Sequence, residues 1–551
     1  MKEFSTVKCA PDTVKEYVFP SRVVHYENAE NTQSLLKEKE LQITLNEKEL
    51  TVVRKGGYVV LDFGRELSGG VRILASQANA KVRVRLGESV SETFSCAVGT
   101  EKLKTDDGIK IESAEKCAGC NDHALRDAEF FLTILSDQEY FQSGFRFVRL
   151  DALEKDVEIK SIVAVYTHAD YKRDGFFKCE NETVNRIYET AARTLTLCIQ
   201  NGMLWDGIKR DRLVWVGDMY PEVLAGLDLY GNASYIRRAI DFSRRSTPLP
   251  EWMNTMPVYS LWWIMCLDEY VYRTGDTDAY FTDNAEYLKR LTEQFDGYVT
   301  DEGEVATPGI FLDWPSHDTP DEKAGVRAIA ALSMHAADRL FRLDGYVCPH
   351  TKSVLEKLKR SRAAAKDKKQ AIALSLIAGY DADADLLIKG GAKGMSTFMS
   401  WAVLNAAHDY ASDKAAAEMM EEYYGAMLKM GATSFWEDFD VEWTKGAAPV
   451  DRLPEKGEKD IHGDFGKFCY VGFRHSLCHG WSAGVIDYIV TRILGVRITS
   501  PGGKTVSVKP FSAFGDMEGA VPVGGGLVRV KVADGKVSAE ATCGIQVTVQ
   551  E

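Results

Sequence analysis

Apolar and polar residues alternate singly along the first part of the chain, recur every three to four residues along the middle, and alternate again at the end. From residue 41 to about 165 the runs LQITL, LTVVRKGGYVVLDFG, GGVRILAS, KVRVRLGES, GFRFVRLDAL and VEIKSIVAVYTH are short and β-branched, with Gly, Asn and Asp between them. That pattern predicts a β-sandwich. Residues 99–127, GTEKLKTDDGIKIESAEKCAGCNDHALRD, are polar and turn-rich and read as a long loop or insertion. After about residue 176 the period becomes helical, in NETVNRIYETAARTLTLCIQNG, SLWWIMCLDEYVYRTGD, AEYLKRLTEQFDGYV, GVRAIAALSMHAADRLFRL and HTKSVLEKLKRSRAAAKDKKQ, and in further segments through LCHGWSAGVIDYIVTRILG. Several of these segments are apolar nearly all round, which predicts helices covered on both faces, as in the inner ring of a double-layered helical barrel. The absence of a self-similar repeat favours such a closed toroid over a solenoid. Near residue 497 the alternation returns in VRITSPGGKTVSVKPF, GGGLVRVKVADGKVSAEATC and IQVTVQ, joined by Pro-Gly, Gly-Gly and Asp-Gly turns. The expected organisation is multidomain: an N-terminal β-sandwich at 1–170, a helical barrel at 171–495, and a small C-terminal antiparallel β domain at 496–551 that packs on the barrel.

Composition narrows the function without naming it. A chain of 551 residues is long enough for several domains and a deep pocket. With 67 basic against 81 acidic residues, a net charge of −14 argues against a nucleic-acid partner. No apolar stretch is long enough for a membrane span, and MKEFSTVKCAPDTVKEY has no apolar h-region. A cytoplasmic protein is expected, or a periplasmic or secreted one if a signal peptide has been removed; the sequence leaves homo-oligomer formation open. The eleven cysteines, Cys198 and Cys266 among them, sit largely in apolar contexts and read as buried free thiols. Cys117 and Cys120 have zinc-like spacing, but only His123 is near, so an incidental loop is the better reading.

Candidate chemistry concentrates in three places. WDGIKRDRLVWVGD at 205–218 holds Asp206, Asp211 and Asp218, three bases and two tryptophans. A charge-rich stretch is often only a solvated face, yet carboxylates beside tryptophans also suit a sugar, whose C–H faces stack on rings while its hydroxyls donate to carboxylates. GATSFWEDFDVEW at 431–443 places Glu437 among aromatics that can tune it, with Asp438, Asp440 and Glu442 as competing choices. SLCHGWSAG opens an apolar helix with His479 and Trp481, although a lone histidine at a helix start is more often a structural hydrogen-bonder. Weaker pieces are Asp313 and Trp314 in FLDWPS, and Trp262 and Trp263, which read as core. There is no GxSxG, HExxH, P-loop or dinucleotide fingerprint. Two separated carboxylates in an aromatic pocket fit glycoside hydrolysis.

From about residue 57 to its end the chain resembles the bacterial α-L-rhamnosidases of glycoside hydrolase family 78. The resemblance is carried by YVVLDFGRELSGGVRI, YFQSGFRFVRL, DGIKRDRLVWVGD, GATSFWEDFD, SLCHGWSAGV and SPGGKTVSVKPF, in that order. It implies an (α/α)6 barrel and an inverting exo-glycosidase that releases terminal α-L-rhamnose without metal or cofactor. By the same resemblance Asp211 stands at the general-acid position and Glu437 at the base. Asp206, Arg210, Trp215, Asp218 and His479 stand at sugar-binding positions, with Trp314 and Trp436 as further lining. One departure stands out: the family loop runs Asp-Cys-Pro and then Arg and Glu, whereas this chain has Asp211 where the glutamate is expected. The acid is one methylene shorter, and a misplacement of about 1 Å can cost on the order of 100-fold in rate. A barrel acting on another sugar or linkage, and a carbohydrate-binding protein without turnover, are the alternatives.

Overall fold

The computed structural model describes residues 13–76, 80–95, 126–133, 136–282, 284–467 and 470–550. The Cys117, Cys120 and His123 cluster and most of the polar 99–127 segment lie outside them.

The N-terminal part is built from β1 (Thr13–Val18), β2 (Arg22–Glu30), β3 (Thr51–Ala75), β4 (Ala80–Gly87), β5 (Asp127–Leu132), β6 (Ser136–Ala152) and β7 (Val157–Ala169). They form one seven-stranded sheet in the order β1-β7-β3-β6-β4-β5, with β2 also on β3. β3 is long enough to bend, and its two ends, Thr51 and Ala75, both register with Ile159 of β7. The sheet therefore curls back on itself around a core that includes Val59, Leu61, Val71, Ile73, Val84, Val148 and Ile162, the inward positions of the alternating pattern.

β8 (Phe176–Cys179) comes next and leads into α1 (Glu182–Cys198), whose Asn181 cap accepts from Thr183 N and Val184 N. After the hairpin β9 (Ile199–Gln200) and β10 (Met203–Leu204) come α2 (Val216–Tyr230), α3 (Ser234–Arg245), α4 (Pro257–Thr274), α5 (Asp278–Phe281) and α6 (Asn284–Asp296). Then follow α7 (Pro320–Phe341), α8 (Pro349–Leu358), α9 (Lys369–Ile377), α10 (Asp385–Ile388), α11 (Ser400–Tyr410) and α12 (Asp413–Lys429). α2, α4, α7, α9 and α11 pack each on the next, and the segment 480–493 lies between α11 and α2, so the inner elements close a ring. These are the segments with apolar residues all round; α2 is buried from Val216 to Leu229, and Trp262 and Trp263 of α4 are fully buried. The expected single helix in LCHGWSAGVIDYIVTRILG is instead a 3-10 turn (Gly480–Gly484), the short α13 (Val485–Tyr488) and a π turn (Ile489–Ile493). α8 also stops early, and its lysine-rich continuation through 368 is loop.

A two-residue parallel pair, β11 (Ala447–Ala448) and β12 (Lys459–Asp460), precedes the last part of the chain. The C-terminal region holds β13 (Val496–Ile498), β14 (Thr505–Val508), β15 (Met517–Val523), β16 (Gly526–Ala533), β17 (Lys536–Ala541) and β18 (Gln546–Val549). It is not wholly antiparallel, because β14 and β18 run parallel in a three-stranded sheet with β13. The second sheet, β17-β16-β15-β8, is antiparallel and takes its edge strand from Phe176–Cys179, inside the range assigned to the helical domain. Cys198, Cys266 and Cys478 are buried free thiols. No helix among the described residues is long and apolar enough to cross a membrane.

Candidate active site

The loop between β10 and α2 carries Asp206, Arg210, Asp211 and Trp215, and it is held at both ends. Asp206 N donates to Leu213 O (3.0 Å) and Asp206 Oδ1 accepts from Leu213 N (2.9 Å), so Asp206 closes the loop on itself. Its carbonyl accepts from Gly480 N (2.7 Å), and Gly207 bridges His479, which ties the loop to the 479–484 turn. Asn254, absent from the sequence-level candidates, clamps the other end: its Oδ1 accepts from Val216 N (2.9 Å) at the start of α2, and its Nδ2 donates to Val214 O (3.1 Å). Ile208 packs into the core of the N-terminal sheet. The approach there requires Gly144, since a methyl group at that position would stand 2.6 Å from Ile208 Cγ1.

One guanidinium joins the two catalytic candidates. Arg210 Nη2 contacts Glu437 Oε1 at 2.5 Å, Arg210 Nη1 contacts Asp211 Oδ1 at 3.2 Å, and Arg210 Nε donates to Arg474 O (3.1 Å). Glu437 Oε2 accepts from Ser476 N (3.0 Å), and His479 Nδ1 lies 3.8 Å from Oε1. Donors therefore surround this buried carboxylate. His479 Nε2 pairs with Asp218 Oδ1 at 2.9 Å in the first turn of α2, where Tyr259 Oη donates to Oδ2 (3.4 Å). Burial alone would lower the His479 pKa, but Glu437 and Asp218 outweigh it and hold the imidazolium up to about 9. Burial pushes Asp218 up, with His479 opposing, and pushes Asp206 well above the usual carboxylate range. Asp211 and Arg212 both take left-handed backbone, φ 52° and 55°, so the loop bends sharply at these two residues.

Behind this face lies a charge cluster that sequence reading missed. The Lys209 side chain is fully buried, and Nζ donates to Phe473 O (2.6 Å) and His475 O (2.9 Å) and pairs with Glu88 (3.2 Å) and Glu92 (3.0 Å). Glu92 also meets Arg126 at 3.1 Å. Glu88 accepts from Leu477 N (2.7 Å) and Ser476 Oγ (3.3 Å), so the N-terminal sheet supports the strand of chain whose Ser476 N holds Glu437. Glu88, Glu92 and His462 are close enough to hold a metal, but the Lys209 ammonium already lies between both carboxylates. His317, Asp318 and Glu322 form a second such group, at the surface.

A cavity beside Glu437 is lined by Phe311, Asp313, Trp314, Ser396, Thr397, Phe398, Asp438, Tyr470 and Trp481. Trp314 lines this cavity together with Glu437, and half-buried Trp215 stands edge-on to Tyr259 at 6.0 Å at the head of α2. Trp436 does not line the cavity: it is 1% exposed and packs edge-on against Phe439 and His475. Adjacent residues point apart, so the chain that turns Glu437 to the cavity turns Trp436 into the core. Trp481, stacked on Phe398 at 4.8 Å and donating Nε1–H to Glu437 O (3.0 Å), lines it instead. Burial raises Asp438, at the same cavity, to about 7.

No protein-family model and no curated protein matches the chain. Solved structures do. The GH78-family rhamnosidase of Bacillus sp. GL1 superposes with a TM-score of 0.68 at 19% identity, over 94% of this chain and 55% of that one. The Streptomyces avermitilis α-L-rhamnosidase complexed with L-rhamnose gives 0.67 at 14%, over 98% and 50%. The Klebsiella oxytoca rhamnosidase with rhamnose bound gives 0.62 at 18%, over 87% and 96%. The chain has a rhamnosidase-like GH78 fold, and it spans about half the length of the first two of these proteins.

Proposed function

We propose that the chain is an exo-acting glycoside hydrolase of the α-L-rhamnosidase type, with Asp211 as proton donor and Glu437 as the base that activates water. The observation that carries this is the Arg210 fork, which bonds both Asp211 and the cavity-lining Glu437. One guanidinium spans the two contacts, which caps the separation of the bonded oxygens at roughly 8 Å, compatible with the spacing of about 6.5–9.5 Å that leaves room for water in an inverting site. Arg210, Asp218 and His479 present charge to the sugar's hydroxyls, Trp215 and Trp314 offer ring faces, and Asp206 shapes the loop. The closed ring of inner helices supports reading the helical part as an (α/α)6 barrel, and the curled N-terminal sheet supports a sandwich. The left-handed bend at Asp211 supports a backbone adjusted to a shorter acid.

The test is hydrolysis of p-nitrophenyl α-L-rhamnopyranoside with the anomer followed by NMR, for wild type, Asp211→Asn and Glu437→Gln. Wild type should release rhamnose with inversion; Asp211→Asn should lose most turnover, and Glu437→Gln should lose it while keeping sugar affinity. Near-normal turnover by Glu437→Gln refutes the base. Asp438 supplies a second reading for the acid, because a carboxyl held near 7 at this cavity is half protonated at neutral pH. Loss of turnover in Asp438→Asn but not in Asp211→Asn would select it. Release of a different sugar from a panel of aryl glycosides moves the substrate, and sugar binding without release from any of them makes the protein a lectin.

A further inference from the structure

A second cleft opens next to the Glu437 cavity, and the two share Pro315 and Asp438 in their walls. Its volume of about 630 Å³ lies within the roughly 300–1,000 Å³ of a typical small-molecule pocket. Three separate segments bring lysines to it: Lys366, Lys368 and Lys369 from the loop into α9, Lys389 and Lys393 from the turn after α10, and Lys467. Against these six stand Asp367, Asp438 and Asp440, in a chain whose acidic residues outnumber its basic ones.

Pairing leaves much of this charge uncompensated. Lys368 meets Asp367 at 3.6 Å, and Lys393 reaches Glu442 only at 3.9 Å, where Lys445 holds the same carboxylate at 2.8 Å. The buried Lys369 donates to Gly391 O, and burial lowers it to about 8. Lys366, Lys389 and Lys467 are exposed, with no carboxylate among the described residues within ion-pair distance. Lysines on a helix face are ordinarily a solvated surface, but these converge from separate segments of the chain on one concavity beside the Glu437 cavity. Trp443, stacked on Phe465 at 5.5 Å, adds an aromatic wall. A concave wall of one sign focuses the field on whatever enters it, and ammonium groups attract an anion as point charges without imposing the bidentate geometry of arginine.

We propose that this cleft, which meets the Glu437 cavity at Pro315 and Asp438, binds an acidic glycan whose sugar units bear carboxylate or sulfate groups. The proposal rests on the glycosidase reading above for its carbohydrate class, not for its charge. A neutral glycan would find three exposed cations and no partner for them. An acidic chain pairs with them and extends along the cleft.

Calorimetry on the full chain tests this without turnover, using trigalacturonate, maltotriose sulfate and neutral maltotriose at low salt. Wild type should bind the acidic trisaccharides at least tenfold more tightly than maltotriose, and 0.5 M NaCl should remove most of the difference, since screening shortens to a few ångströms near 1 M. Lys366→Gln/Lys389→Gln/Lys467→Gln, three exposed changes checked by melting temperature, should weaken acidic binding at least fivefold and leave maltotriose unchanged. Equal binding of the carboxylated and sulfated probes supports recognition of charge alone; preference for trigalacturonate supports a uronate-bearing chain. Equal affinity for acidic and neutral trisaccharides, or an unaffected triple variant, overturns the proposal. Rhamnoside hydrolysis without acidic binding sinks only this cleft, whereas acidic binding without hydrolysis of any aryl glycoside sinks only the catalytic reading.

Discussion

Replacing Lys209 by Met takes a fully buried ammonium from between two buried carboxylates and keeps most of the side chain's volume. Glu88 and Glu92 lose a partner at 3.2 and 3.0 Å, and the carbonyls of Phe473 and His475 lose their donor. Breaking a buried ion pair from one side costs about 3–5 kcal/mol, because the remaining charge stays in a poorly solvated place. Orphaned carbonyls add to that cost, although neighbouring terms do not sum. Arg126 still meets Glu92, so a total of about 4 kcal/mol is reasonable. For a cooperative unit of about 150–250 residues each kcal/mol moves the melting point by roughly 2–4 °C, so calorimetry should show a fall on the order of 10 °C. The effect should reach the chemistry, because Glu88 braces Ser476 and Leu477, and Ser476 N holds Glu437. A shift of about 1 Å there is enough for on the order of 100-fold in turnover. Adding Glu88→Gln to Lys209→Met removes the stranded charge and should restore part of the loss, giving a coupling above about 1 kcal/mol in a double-mutant cycle. A melting point within about 2 °C of wild type, or additive single effects, would show that the cluster does not support the site.

His479 should remain an imidazolium well past neutrality: its pKa is about 9 in the fold against about 6.5 in an unfolded chain. Its stabilising contribution is therefore complete below about pH 6.5 and disappears as pH rises through about 9. His479→Gln should flatten the fall in melting temperature between pH 7 and 9, and an NMR titration of the wild-type ring centred near 6.5 contradicts the assignment. Asn254→Ala removes the acceptor for Val216 N, a change of about 1 kcal/mol for a helix cap, and should raise KM for the rhamnoside more than it lowers kcat by loosening Trp215. Unchanged kinetics together with an unchanged melting temperature would remove Asn254 from the site's support.

The β, helical, β order is readable because period two and period 3.6 are local signals, and the all-round apolar character of α2 and α4 announces that they lie inside other helices. The candidate loop is readable for a different reason: Asp206, Arg210, Asp211 and Asp218 lie in one short stretch, so their grouping needs no knowledge of tertiary contacts. What escapes is whatever distance in sequence hides. Glu88 and Glu92 sit in an ordinary strand-to-turn segment of another part of the chain, and nothing local to them suggests that they meet Lys209. Asn254 lies 38 positions from the amide it accepts from. Trp436 turns into the core while its neighbour Glu437 faces the cavity, a direction no local pattern declares, and Tyr470 and Trp481 reach the cavity from a loop and a 3-10 turn. Phe176–Cys179 is too short to declare itself a strand without the sheet it joins.

That short strand has a consequence for synthesis. Cys179 registers with Met517, so the edge of the C-terminal sheet leaves the ribosome about 340 residues before its partner, an interval on the order of 20–70 s at bacterial or eukaryotic elongation speeds. In that interval the entire ring of helices is made between two halves of one sheet. The nascent chain cannot complete its last sheet first or separately, and a ribosome stalled before residue 517 holds a ring of helices whose entry strand is an unpaired edge, open to chaperones and to other nascent copies.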